Sequence, residues 1–289
     1  MTNQVYPKAH LNDYGYKEIK HIKPILKILA ISFAILMIFM LYLPIIVIAI
    51  ESVNSSVITS KFDSFTLSWY TNIFNESELL NAIKNTFIVS LIATSLATVL
   101  GTLFAIGIDK LPKKMKSKIV FLNNVPILNA DIVTGFSLML MFRFLMLLFP
   151  NIFGLTTLVL AHLFFTLPYV ILSVLPKLKE LDPNFIDAAM DLGIKPYKAI
   201  YLIVIPAIKA GILSGMLLAL TMSIDDFVIS FFNTGAGFDN LSIWIYGVLG
   251  RRNLTPSVYA FSTLLTLLTG GSLILFNKIN QRKGKKHTK

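Results

Sequence analysis

The stretch Leu26–Ile50, LKILAISFAILMIFMLYLPIIVIAI, narrows what this chain can fold into more than any other. As a helix, its 25 residues would reach beyond the ~30 Å hydrocarbon core of a bilayer. No water enters that core to satisfy free backbone groups, so a segment this apolar settles as a helix with every peptide bonded internally. It is also too long for the ~7–15-residue core of a cleaved secretion signal, and reads as a retained transmembrane helix. Five more apolar blocks follow: Thr86–Ile108, about Val120–Leu148, about Leu155–Leu175, about Tyr201–Ile224 and about Val258–Ile279. The third is interrupted by Asn123, Asn124, Pro126, Asn129, Asp131 and Arg143. The fold class predicted is an all-α integral membrane protein of six transmembrane helices. Composition agrees, with 55% hydrophobic and 14% charged residues against about 25% charged in soluble domains.

The basic residues orient it. Twenty of the 26 lysines and arginines fall before or at the start of the first block, between the second and third, between the fourth and fifth, and at or after the end of the sixth, counting Lys27 and Lys278 at the block edges. The alternate connections hold only Lys61, Lys84, Arg251 and Arg252. The bias of such residues toward the cytoplasmic side places both termini there. The net charge of +11 is thus a topology signal plus attraction to anionic membrane lipid. Nucleic acid is not expected as a partner, because no aromatic residues interleave the lysines. The chain has no cysteine, which excludes disulfides and thiolate metal sites. No metal and no cofactor is expected.

Against this apolar background the acidic residues stand out. Asp225 and Asp226 sit inside TMSIDDFVISFF, and apolar residues continue after them. A charge at mid-membrane costs about 2.5–3.5 kcal/mol, and such residues usually face a bundle interior or a water-filled cavity. Adjacent helical residues point about 100° apart, so one of the pair can line a path while the other caps a helix or reaches water. The bland reading is that the pair marks where the fifth helix leaves the membrane. Asp131 follows the Pro-interrupted PILNA, the kind of broken helix that lines transporter routes. Asp131, Ser223, Asp225 and Asp226 are therefore the candidate substrate-path residues. Trp69 suits either an interfacial belt or an aromatic wall for a cation, and joins them. His162 stands alone in LAHLFFTLPY and is expected to pack against a neighbouring helix rather than bind metal. Gly101, Gly107, Gly211 and Gly215 read as close-approach sites between helices.

One basic-side connection differs. In KLKELDPNFIDAAMDLGIKPYKAIYLIVIP four lysines are balanced by Glu180, Asp182, Asp187 and Asp191. Asp182 can cap a helix starting at Pro183, Phe185, Ala188, Ala189 and Leu192 follow at helical spacing, and Gly193 can end it. Pro196 and Tyr197 then open a second helix. This helix–Gly–helix element has small residues at which a soluble partner could pack closely. No Gly-x-x-x-x-Gly-Lys-Ser/Thr phosphate loop occurs, so any ATP-derived work has to come from a partner.

The same stretch resembles the EAA loop of ABC-importer permeases, with Asp187, Ala188, Ala189, Gly193, Ile203 and Pro206 on the pattern. Asp187 stands for the usual Glu and Ile205 for the usual Leu. NSS at Asn54–Ser56, FTLSWY at Phe65–Tyr70 and SIDDFVISFFNTG at Ser223–Gly235 extend the likeness to spermidine/putrescine permeases. That resemblance implies a permease subunit of a type I importer in the bacterial inner or plasma membrane, itself not an enzyme. Its partners would be a cytoplasmic ATPase dimer, a second homologous permease subunit and an external polyamine-binding protein. The domain reading is a cytoplasmic segment 1–25, a permease domain 26–279 with its coupling loop at about 182–206, and a basic tail 280–289. Two alternatives remain at this point. One is a permease of the same family for an amino acid, sugar or other small molecule; the other is an ATP-independent channel or ion-coupled carrier.

Overall fold

The computed structural model describes residues 24–57, 61–182, 184–250, 256–268 and 271. In chain order its helices are α1 (Pro24–Glu51), α2 (Ser68–Asn72), α3 (Ser77–Asp109), α4 (Lys113–Leu128), α5 (Asp131–Leu145) and α6 (Leu155–Glu180). They continue with α7 (Asn184–Asp191), α8 (Pro196–Ala199), a π-helical turn Ile200–Val204, α9 (Ile205–Ala207), α10 (Lys209–Asp225), α11 (Val228–Asn233), α12 (Leu241–Gly250) and α13 (Ser257–Leu268). An isolated bridge between Asn54 and Phe65 is the extended pairing among the described residues. Among the described residues three helices, α1, α3 and α6, are individually long and apolar enough to cross a membrane, or up to five spans if each of two bent pairs counts as one. The sixth expected span begins in α13 and runs on into residues outside those described, as do segment 1–23 and the basic tail.

Contacts divide the chain into two compact units, Met1–Leu67 with Tyr259–Lys289, and Ser68–Val258. In the first unit, α1 is apolar on every side, and its side chains from Leu26 to Val47 are all exposed. The loop after it is organised by the buried Asn54. The Asn54 Oδ1 accepts from the backbone N–H of Ser56 (3.1 Å) and Asp63 (3.2 Å), while Nδ2 donates to the Lys61 carbonyl (2.9 Å).

The second unit is built on α3, α6 and α10. Without a hydrophobic drive between helices in lipid, close approach through small residues carries the packing. Val170 of α6 is fully buried between two glycines. A Cβ added at Gly101 would lie 2.8 Å from the Val170 Cβ, and one at Gly215 would lie 3.0 Å from its Cα. Gly211 lies as tightly against the Ser173 carbonyl, at 2.9 Å. Gly107 departs from the sequence reading: nothing lies within 4 Å of its added Cβ, so it mediates no helix contact within the described residues.

Two of the expected spans are broken, the third where its Pro-interrupted stretch suggests it and the fifth where a continuous helix is expected. The third block is not one helix: α4 and α5 meet at 101° across Asn129 and Ala130. Both residues are extended, and the Asn129 Nδ2 donates to Thr134 Oγ1 (3.0 Å), so a side chain takes over where the ladder stops. The fifth block begins earlier than its apolar run, at Pro196, and bends by 72° before Lys209. Pro206 has no N–H to give, and the ladder before it slips to i→i+5, with the Ile205 N–H bonded to the Ile200 carbonyl. The second block starts earlier, at Ser77, and the fourth runs on to Glu180. Polar turns at both ends escape a hydropathy window.

Candidate functional site

The breaks after α4 and after α10 border one cleft of about 290 Å³. Asp131, the first residue of α5, and Asp225 and Asp226, at the end of α10, all line it, with Tyr169, Thr221 and Phe227. Three carboxylates distant in sequence thus share one wall, and no lysine or arginine lines the cleft among the described residues. Asp131 and Asp225 are exposed and have no hydrogen-bond or ion-pair partner among the described residues.

Asp226 is held differently. Its Oδ2 accepts from the Ser230 N–H and the Ser230 hydroxyl, both at 2.7 Å, and its Oδ1 accepts from the Ile229 N–H at 3.3 Å. Those N–H groups belong to the first turn of α11, where no intrahelical carbonyl reaches them. Asp226 therefore caps α11 across the break, while Asp225 stays free. This resolves the adjacent pair: one carboxylate builds the local structure and the other is presented to the cleft.

Behind Asp226 lies a buried polar chain. His162 of α6 places Nε2 2.9 Å from Ser230 Oγ and Nδ1 2.7 Å from Ser223 Oγ. The Ser230 proton is given to Asp226, so Ser230 can only accept from His162, and Nε2 carries the hydrogen. In the neutral ring, Nδ1 then accepts from Ser223. Asn240 also donates to Ser230 (2.8 Å), making that serine the junction of α6, α11 and the start of α12. His162 looked alone because its two serines lie 61 and 68 residues away in the chain. It packs as expected, but as a hydrogen-bonded group. The hint in the sequence was Ser230 four residues after Asp226, one helical turn on.

Two of the candidate path residues are placed elsewhere. Ser223 is buried against His162 and is not among the residues that line the cleft. Trp69 lies on α2 and is not among the residues that line the cleft. Cleft-lining residues that sequence reasoning passed over, Tyr169, Thr221 and Phe227, are ordinary residues in apolar surroundings, and only the fold brings them together.

The helix–Gly–helix element forms as expected from Asn184 onward, with Pro183 outside the described residues. Asp182 Oδ1 accepts the Asn184 N–H (3.0 Å). At the other end Gly193 has φ +80°, the Ile194 N–H reaches the Ala189 carbonyl (3.0 Å) and the Gly193 N–H reaches Met190 (2.9 Å). That pair of bonds is the Schellman closure, which favours glycine at this position. Asp187, Ala188 and Gly193 are exposed, and Leu192 is 84% exposed, an unusual state for a leucine with no partner. Ala189, however, is buried within the chain, so Ala188 alone offers a small outward side chain. Ile203 is half-buried in the π-helical turn and Pro206 is exposed in α9.

No protein-family model matches the chain. The putrescine transport system permease protein PotI of Escherichia coli K12 is 32% identical over 227 residues, covering 78% of this chain and 80% of that protein. The spermidine/putrescine transport system permease protein PotC of the same organism is 30% identical over 247 residues, covering 86% and 92%. Among solved structures, a bacterial ABC transporter involved in the import of the acidic polysaccharide alginate superposes with a TM-score of 0.70. It covers 89% of this chain and 96% of that one at 13% identity, a likeness of fold alone. By its relatives in sequence, and with an importer-permease fold, the chain belongs to the PotC/PotI family of transport-system permeases.

Proposed function

We propose that this chain is the membrane-spanning translocation subunit of an ATP-driven importer and that its cargo is a polyamine such as spermidine or putrescine. One observation carries the substrate class: Asp131, Asp225 and Asp226 border a single cleft that is lined by no cation among the described residues. Such a cleft concentrates positive charge and repels anions. Asp226 is already engaged with α11, which leaves Asp131 and Asp225 as two free carboxylates. Two carboxylates suit two ammonium groups, with Phe227 and Tyr169 offering ring faces to the methylenes between them. The names of the PotC and PotI relatives point to the same cargo.

Work enters at the cytoplasmic side in this reading. An ATPase dimer docks on α7, Gly193 and α8, where Phe185 and Leu192 are exposed. A push there passes through the π-helical turn and the 72° bend into α10, whose far end carries Asp225. A second permease subunit and an external binding protein complete the assembly in the bacterial inner or plasma membrane. The exposed apolar surface of α1 is suited to lipid or to that second subunit.

The test is uptake of labelled putrescine and spermidine by the assembled transporter, with Asp131→Asn as the variant and unlabelled polyamines, amino acids and sugars as competitors. Competition by polyamines alone, together with slower uptake by the variant, is the expected result. Competition by a sugar or amino acid, with no effect of the variant, would reassign the cargo.

A further inference from the structure

Asp225 is the last residue of α10, where the carbonyls of the final turn have no intrahelical partner to hold the chain's direction. From Thr221 to Val228 a single residue, Ser223, is buried. The end of α10 is therefore anchored through that serine, whose hydroxyl is bonded to His162 Nδ1 at 2.7 Å. Two residues further on, about 200° around a helix, Asp225 leaves on the far side. A bond that pins Ser223 inward thus aims Asp225 outward, to the wall it shares with Asp131.

The second nitrogen of the same ring reaches across the break. His162 Nε2 lies 2.9 Å from the hydroxyl of Ser230, in the first turn of α11. One imidazole therefore holds both flanks of the Asp226–Phe227 turn, donating at one nitrogen and accepting at the other. The ring has little freedom of its own. It is 1% exposed and stands 5.3 Å, centroid to centroid, from Phe165, which lines the cleft. The helix that carries it, α6, is also the one that meets α10 at Gly211 and Gly215. The glycine seam fixes the first half of α10, and His162 fixes its end.

We propose that His162 is a positioning residue of the translocation path: it fastens both flanks of the α10–α11 break to α6 and so sets where the free carboxylate of Asp225 stands relative to Asp131. The inference rests on the reading of that cleft as the cargo path. His162 is not among the cleft-lining residues, and its effect runs through Ser223 to Asp225.

The chain has no cysteine, so Asp225→Cys introduces a single thiol on the cleft wall. Its labelling by the cationic reagent 2-aminoethyl methanethiosulfonate is timed in the assembled transporter, with Ser64→Cys as a reference outside the site. Adding His162→Phe, which keeps a ring but neither bond, should slow labelling roughly fivefold, the rate equivalent of one lost hydrogen bond. Ser223→Ala, which removes only the α10-side bond, is the milder variant should His162→Phe fail to assemble, with the same expected direction. Labelling at the distant reference should stay within about twofold. Unchanged labelling at Asp225→Cys, or equal slowing at both positions, overturns the proposal. Uptake ties the position to transport. Ser223→Ala should slow labelled-spermidine uptake roughly fivefold with Asp225 present, and by less than about twofold in an Asp225→Asn background, because the two residues act on one step. Defects that multiply would make the His162–Ser223 bond a structural one only and overturn the proposal. Normal uptake by Asp225→Asn with slowed labelling sinks the cargo-path reading and leaves the positioning standing. Slowed uptake by Asp225→Asn with unchanged labelling sinks the positioning alone.

Discussion

Replacing Asp225 and Asp226 one at a time by Asn should give two different defects, although the residues are neighbours. Asn keeps the size of Asp but loses the charge and turns one acceptor into a donor. At Asp226 the carboxylate accepts three bonds from Ile229 and Ser230, two of them at 2.7 Å. The Asn amide can accept through one oxygen only, and its NH₂ is forced against a donor. Losing one charge-assisted bond of this kind costs about 1.5–3 kcal/mol. For a chain of this size that lowers the melting temperature by on the order of 3–5 °C. Asp225 has no such bonds, so Asp225→Asn should leave assembly and melting temperature unchanged. Its loss falls on the passing cation: about 1–3 kcal/mol of barrier, or roughly 5–150-fold slower uptake. The assays are thermal unfolding followed by intrinsic fluorescence and labelled-spermidine uptake normalised to membrane protein. A destabilised Asp225→Asn beside a fully stable Asp226→Asn would refute the division of roles.

Further outcomes follow from the same geometry. Gly193→Val puts a β-branched residue at φ +80°, a strain of about 1–3 kcal/mol, and should abolish uptake while ATP hydrolysis by the assembled complex continues without stimulation; normal uptake would remove this turn from the coupling route. Gly215→Val drives a side chain into the Val170 backbone and should cost about 1–3 kcal/mol or more of stability, read as lower yield of folded chain in detergent. Cysteines introduced at Ser64 and Ser117 test the lysine-based orientation against a cysteine-free background: an impermeant maleimide should label the first in intact cells and the second only after permeabilisation.

How much of this was legible in the sequence depends on the range of the interaction concerned. The long apolar helices and the Asp182-to-Gly193 element were, because hydropathy, caps and a left-handed glycine act within a few residues. The acidic residues that share the cleft were legible as a set, since a charge in an apolar block is conspicuous wherever it ends up. The division of labour between Asp225 and Asp226 was not, because it depends on where α10 stops. Neither was the burial of Ser223, whose partner His162 is 61 residues away. The interruption at Asn129 showed as polar residues and a proline inside an apolar block, whereas hydropathy averages over a window and so ran straight through the bend before Lys209, which comes from local backbone bonding. Ala189 was misjudged for the opposite reason: helical spacing gives a face, but only the packing of α7 on the chain tells which side of that face is covered.

Val170 works as a peg. With Gly101 on one side and Gly215 on the other, it leaves α3, α6 and α10 no axial play, since sliding by even one residue would drive it into a neighbour with a larger side chain. The three helices therefore move as one block in any transport cycle. Bending is left to the joints, the 101° corner between α4 and α5 and the 72° corner where α10 begins. A staple engineered across a joint would stall the cycle, whereas one engineered across the α3–α6 seam would leave it running.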